Sequence, residues 1–271
     1  MALPLDVATA VEALGDGAWG GESHRAWETP VGANGGYLAA LILRAMEGEL
    51  GEPAFDARSL TVHFLRPPAL GPLRVEVEVA RRGRRVAQLT ARGLQDGVLW
   101  GTAVAIFGTF GFGDLTFTTA MPQVPGPEGL EPTRFDEEVA PITHRLDLCP
   151  VLGAEIFSGS DEPRSGGWTS FSDPQRYDAP ALAQIADAWL PVVSQRSSTP
   201  IFAPTLDYTV HFRNPRAARE IDPADRILAI FASRHAAEGY IEEDGELWSA
   251  EGVLLAQSRQ LALLVPLEEQ G

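Results

Sequence analysis

The residues Ala181-Leu-Ala-Gln-Ile-Ala-Asp-Ala-Trp-Leu-Pro191, followed after a loop by Pro204-Thr-Leu-Asp-Tyr-Thr-Val-His-Phe-Arg-Asn-Pro215, decide how this chain is read. Leu182, Ile185 and Trp189 recur at helical spacing and Pro191 closes the run, so the first segment predicts a helix over 181–190. In the second, Leu206, Tyr208, Val210 and Phe212 alternate with Thr205, Asp207, Thr209 and His211, as in a strand with one buried face. A nearly matching phrase, Ser59-Leu-Thr-Val-His-Phe-Leu-Arg-Pro67, lies far upstream. Two copies of so unusual a phrase imply two copies of one structural unit.

Subtraction tests the repeat. Thr61-Val-His-Phe matches Thr209-Val-His-Phe, and 209 − 61 gives an offset of 148. Asp96-Gly-Val-Leu-Trp matches Glu251-Gly-Val-Leu-Leu, and 251 − 96 gives 155, a drift that changes in loop length would produce. The expected elements follow the same order in both halves. In the first, a buried helix opens at Asn34-Gly-Gly and runs through Met46, with strands at 57–66, 72–81, 84–95 and 97–108. In the second, strands near 145–148, 154–157 and 167–171 precede the helix, and strands near 203–213, 226–235, 237–243 and 246–264 follow it. The Gly, Pro and Thr-rich segment between them reads as a linker, giving domains of 1–112 and 136–271 joined by 113–135. A helix followed by antiparallel strands, twice over, is an α+β architecture.

Composition narrows the function. A chain of 271 residues with 45% hydrophobic side chains can bury a core without disulfides, and the single Cys149 reads as a small buried thiol. A net charge of −16 argues against a nucleic-acid surface. The chain shows no leader pattern and no apolar run long enough to span a bilayer, so a soluble cytoplasmic protein with no membrane partner is expected. Gly15, Gly17 and Gly20 fit a dinucleotide fingerprint, but Glu22–Trp27 reads as another strand where a helix is required. The chain contains no G-x-S-x-G and no cluster with metal-ligand spacing, so neither a Ser-His-Asp hydrolase nor a metal site is expected. Every one of the 21 cationic side chains is Arg, and Arg81, Arg82, Arg84 and Arg85 crowd one turn. That cluster is either a solvated hairpin tip or a seat for the phosphates of an anionic ligand.

Gly35-Gly-Tyr-Leu-Ala-Ala40, the paired Thr-Val-His-Phe phrases, Ile185-Ala-Asp-Ala-Trp-Leu-Pro191 and Glu251-Gly-Val-Leu-Leu-Ala-Gln-Ser-Arg-Gln260 occur here in one order and spacing. In this the chain resembles the acyl-CoA thioesterases of the double hotdog type, the bacterial thioesterase II group. The resemblance implies a tandem hotdog, in which two antiparallel sheets, each wrapped round a central helix, join edge to edge. It implies a homo-oligomer that hydrolyses acyl-CoA without a cofactor. It also implies three catalytic residues, and by motif these fall on Asp187, Thr205 and Gln260.

The repeat supplies an internal control. The offset of 148 sets Asp187 opposite Ala39 and Thr205 opposite Ala57, and the offset of 155 sets Gln260 opposite Ala105. What the fold requires should recur in both copies, whereas catalysis need occupy only one. By the same logic His63 and His211, which do recur, are structural. A carboxylate, a hydroxyl and an amide can orient one water, with Asp187 as general base and the backbone N–H groups of Gly35 and Gly36 as oxyanion donors. Taken alone, Asp187 would read as the solvated edge of a helix. Two competing functions share the fold: a silent acyl-CoA-binding module, and a hydratase or dehydratase.

Overall fold

The computed structural model describes residues 3–111, 113 and 115–266, so the expected domain boundary at 112 falls on a residue outside those described. In the first half, Glu12–Gly15 (β1) and Ala18–Ser23 (β2) form a hairpin, and helix α1 spans Gly35–Leu50. Strands Asp56–Phe64 (β3), Gly71–Arg82 (β4), Val86–Gln95 (β5) and Val98–Gly108 (β6) follow. The second half contributes Leu146–Leu152 (β7), Arg164–Phe171 (β8), helix α2 at Ala179–Ile185, then Thr205–Phe212 (β9), Ile227–Ala232 (β10), Tyr240–Trp248 (β11) and Leu254–Leu263 (β12).

All of these strands belong to one 13-stranded antiparallel sheet, in the order β1-β2-β4-β5-β6-β3-β9-β12-β11-β10-β8-β7, with Ala236–Ala237 pairing beside β11. The order reads the same from both ends, so the halves are related by a pseudo-twofold axis. That axis passes through the β3–β9 seam. Thr61 pairs with Thr209, its own copy, and the two hydroxyls lie 2.9 Å apart. His63 and His211 flank this seam as exposed residues opposite Asp207 and Ser59.

The two helices lie antiparallel on the inner face of the sheet. Arg44 near the end of α1 pairs with Asp178 at the start of α2 at 2.8 Å, while Gly36 at the start of α1 meets the carbonyls of Ala183 and Gln184 at the end of α2. Tyr37, Leu41, Ile42, Leu182 and Ile185 are fully buried between helices and sheet. No helix among the described residues is long and apolar enough to cross a membrane.

Several local expectations change. The 15–17 turn is a hairpin tip that leads into β2, and Arg25–Trp27 is a short 3-10 turn rather than a strand. Residues 154–157 are not a strand: 154–155 are irregular and 156–157 form a turn with Phe157 at φ 56°. The expected break between 243 and 246 is absent: Tyr240–Trp248 is one strand, and the turn falls at 249–253. Gly245 therefore marks a close approach, because a Cβ there would lie 2.8 Å from the buried Phe231 ring. The connecting segment is not a free linker. Met121, Val124 and Leu130 cover Cys149, Trp168, Leu228, Ile230 and Trp248 on the outer face of the second half, and Trp168 donates to the Pro125 carbonyl at 2.7 Å.

Gly245→Ala should cost about 1–3 kcal/mol through overpacking. The measurement is the denaturant midpoint; an unchanged midpoint would contradict the close approach.

Candidate active site

Three features of the chain bring Asp187 to its place. Asp178 caps α2 by accepting from the Ala181 N–H at 2.9 Å, as Asn34 caps α1 by accepting from Tyr37 at 3.0 Å. Counted from these caps, α1 has 16 residues and α2 only 7. After Ile185 the chain tightens, with the Asp187 and Ala188 amides bonding back to Gln184 and Ile185. Asp187 thus stands two residues past the helix, not on it as expected, and meets the start of the antiparallel α1. The caps also correct the internal comparison. Their separation, 178 − 34 = 144, sets Asp187 opposite Leu43 rather than Ala39.

The Asp187 carboxylate is half-buried and engaged at both oxygens, so it is not a solvated helix edge. Its Oδ2 accepts from the Gly36 N–H at 2.7 Å and from the Asn34 side-chain amide at 3.1 Å, and Asn34 also donates to the Asp187 carbonyl at 2.9 Å. Its Oδ1 accepts from Gln260 Nε2 at 2.8 Å, and Gln260 Oε1 accepts from the Thr205 hydroxyl at 2.8 Å. Burial raises the Asp187 pKa to about 6, while the Gly36, Gln260 and Asn34 donors pull it down.

Gln260 is 9% exposed and faces inward on β12 opposite Tyr208. Tyr208 in turn donates to the Ala183 carbonyl at 2.6 Å and so holds the end of α2. Thr205 shares the inner face because of a bulge between Thr205 and Asp207. Simple alternation had set it on the outer face. The same bulge recurs in the first copy between Ala57 and Ser59. There Leu60 pairs with Ala105 as Tyr208 pairs with Gln260, so Ala57 and Ala105 are the true counterparts of Thr205 and Gln260. At the pseudo-symmetric position, a cavity of about 350 Å3 opens between Glu47, Ala57, Phe107 and Asp178. It lacks the hydroxyl and the amide.

Of the expected oxyanion donors, Gly36 is committed to Asp187, and among the described residues the Gly35 N–H has no hydrogen-bond partner. The arginines Arg81, Arg82, Arg84 and Arg85 also part from the site. Their turn lies beside Gly108 and Asp56, at the far end of β3 from Phe64, whose ring packs against Gly35. Eight residue steps (64 − 56) separate those ends, roughly 26 Å along the strand. Arg82 pairs instead with Glu52. Sequence reading missed Asn34 as a ligand of Asp187; only its place at the helix entry, before Gly35-Gly36, marked it. Among the described residues no group of three His, Cys, Asp or Glu is placed to hold a metal.

A carboxylate, an amide and a hydroxyl chained on the inner face of a doubled sheet-and-helix unit define a double hotdog protein with a built polar site. Models of the N-terminal and C-terminal domains of acyl-CoA thioesterases match residues 23–111 and 120–264, so the chain belongs to the acyl-CoA thioesterase family. Among solved structures it is similar to a hotdog-fold protein of unknown function from Alicyclobacillus acidocaldarius, at 27% identity and TM-score 0.87 over 96% of this chain and 97% of that one. A thioesterase II candidate from Thermobifida fusca follows at 25% identity and TM-score 0.82, over 96% and 97% of the two chains. Acyl-CoA thioesterase II TesB2 from Mycobacterium marinum, at 21% identity and TM-score 0.77 over 97% and 99%, shares the fold. No curated protein matches the chain.

Gly36→Ala tests the clasp. Its methyl would lie 2.9 Å from both Asp187 Cβ and the Gln184 carbonyl. The variant should lose about 1–3 kcal/mol of stability and move the Asp187 loop. Unchanged melting together with an unshifted Asp187 signal would contradict this packing.

Proposed function

We propose that the protein hydrolyses acyl-CoA thioesters to a free acid and CoA, using one water oriented by Asp187, Thr205 and Gln260. The observation that carries the reading is the unbroken hydrogen-bond chain from Thr205 through Gln260 to Asp187. Family membership supports the same chemistry.

The directions of these bonds suggest each role. The Thr205 hydroxyl spends its proton on Gln260 Oε1, so its lone pairs are left to accept from a water. Asp187 Oδ1 accepts one bond from Gln260 and retains a second acceptor direction. A water donating to both oxygens aims its own lone pair at a thioester carbon placed between them and α1. As the C–O bond forms, its proton passes to Asp187. The carbonyl oxygen becomes anionic, and the Gly35 N–H at the positive end of a 16-residue helix stabilises it. The tetrahedral adduct then expels the CoA thiolate, and protonated Asp187 returns its proton to sulfur. Atoms balance as thioester plus water giving acid plus thiol.

The sign of the pH dependence follows. The base works ionised, and burial holds its pKa near 6, so kcat/KM should fall about tenfold per pH unit below about 6. An exposed carboxylate would place that limb near 4. Asp187→Ala should lose about two or more orders of magnitude in thiol release from a saturated acyl-CoA. Thr205→Ala and Gln260→Ala should each lose less, since the base remains. Full activity in Asp187→Ala would refute the assignment.

A further inference from the structure

Beside the water-orienting chain lies an acid that the proposed reaction does not use. Glu243 stands on β11 opposite Gln260 of β12, and is 9% exposed. Its Oε2 accepts from the Val192 N–H at 2.7 Å, and it makes no ion pair with any described residue. Val192, itself fully buried, closes the short loop that begins at Asp187. That loop is therefore pinned at both ends: Asp187 to Gly36, Asn34 and Gln260, and Val192 to Glu243. Between them Trp189 donates to Thr169 at 2.9 Å.

The surroundings oppose a charge on Glu243. Burial pushes its pKa to about 8; the Val192 N–H lowers it, and Asp187, Glu242 and Asp244 raise it further. Glu242 and Asp244, its neighbours on β11, are paired with Arg259, and Asp244 also with Arg234. From β12 the facing group is the uncharged Gln260, and from β9 it is Tyr208, whose hydroxyl is tied to Ala183. On the inner face, Asp187 is the neighbour whose charge raises it.

We propose that Glu243 is a positioning residue: its carboxyl, by accepting from the Val192 N–H, fixes the Asp187–Val192 loop, and a negative charge placed there stops it supporting turnover. This rests on the hydrolytic reading above. A second carboxylate beside Asp187 would oppose the oxyanion of the reaction just as Gly35 favours it. Glutamine keeps the acceptor for Val192 and removes the ionisation; leucine removes both.

The experiment compares kcat and KM from pH 5 to 10 for the wild type, Glu243→Gln and Glu243→Leu. The wild type should show an acid limb near 6 and an alkaline limb near 8. Glu243→Gln should keep the acid limb and lose the alkaline one, with a rate at pH 7 within about threefold of wild type, its hydrogen bond being retained. Glu243→Leu should lower kcat about tenfold at pH 7, the worth of one buried hydrogen bond, with KM nearly constant. An alkaline limb unmoved in Glu243→Gln, or full turnover in Glu243→Leu, overturns the proposal. If the wild type hydrolyses no acyl-CoA, the hydrolytic reading fails by itself. Infrared difference spectra of wild type against Glu243→Gln then decide: a protonated-carboxyl band at pH 7 that fades through about 8 supports the uncharged acid. Its absence overturns it.

Discussion

The site depends on one contact, in which a carboxylate from the second half of the chain is seated on the first amides of a helix from the first half. Bringing Asp187 out of water is unfavourable, and its raised pKa is the sign of that. The Gly36 N–H, the Asn34 amide and the positive end of α1 compensate in part. Only glycine allows the approach, since a Cβ at 36 would press on the Ala183 and Gln184 carbonyls and on Asp187 itself. The Asp187 carboxyl is left ionisable near neutrality because its desolvation is nearly, but not fully, balanced.

Duplication explains how such a site can be asymmetric. The pseudo-twofold axis between Thr61 and Thr209 relates the two ends of the helix pair. At one end the short α2 stops early, and the chain turns Asp187 toward Gly36. At the other, the long α1 runs on to Leu50, and alanines stand where a hydroxyl and an amide would be needed. The first half still contributes to the site, because it supplies the helix start and Asn34, both bonded to Asp187. Neither half carries the whole site.

Much of this was legible in the sequence, for identifiable reasons. Alternation placed the strands of the first half, and the bulges at Ala57 and Thr205 did not disturb the offset of 148. Asp187, Thr205 and Gln260 were legible as types in a motif, and the structure joins them. What periodicity could not reveal were events across space. The contact of Asn34 with Asp187 spans 153 residues. Apolar spacing carried the expected helix through to 190, whereas α2 ends at Ile185 in a tightened turn. A bulge inverts the face of Thr205 with no mark in composition. Gly245 resembled a turn because glycine signals turns and close approaches alike. The arginine turn, dense in charge, lies at the far end of β3 because strand direction, not charge, sets its place.

The central claim is that the carboxylate of Asp187 and the amide of Gly36 form one unit across the two halves. Proton NMR of the Gly36 amide, followed from pH 4 to 8, tests this most directly. The account predicts a large downfield shift of that amide on ionisation of its partner, with a midpoint near 6. A Gly36 amide that does not titrate, or that follows an ordinary carboxylate midpoint near 4, would contradict it.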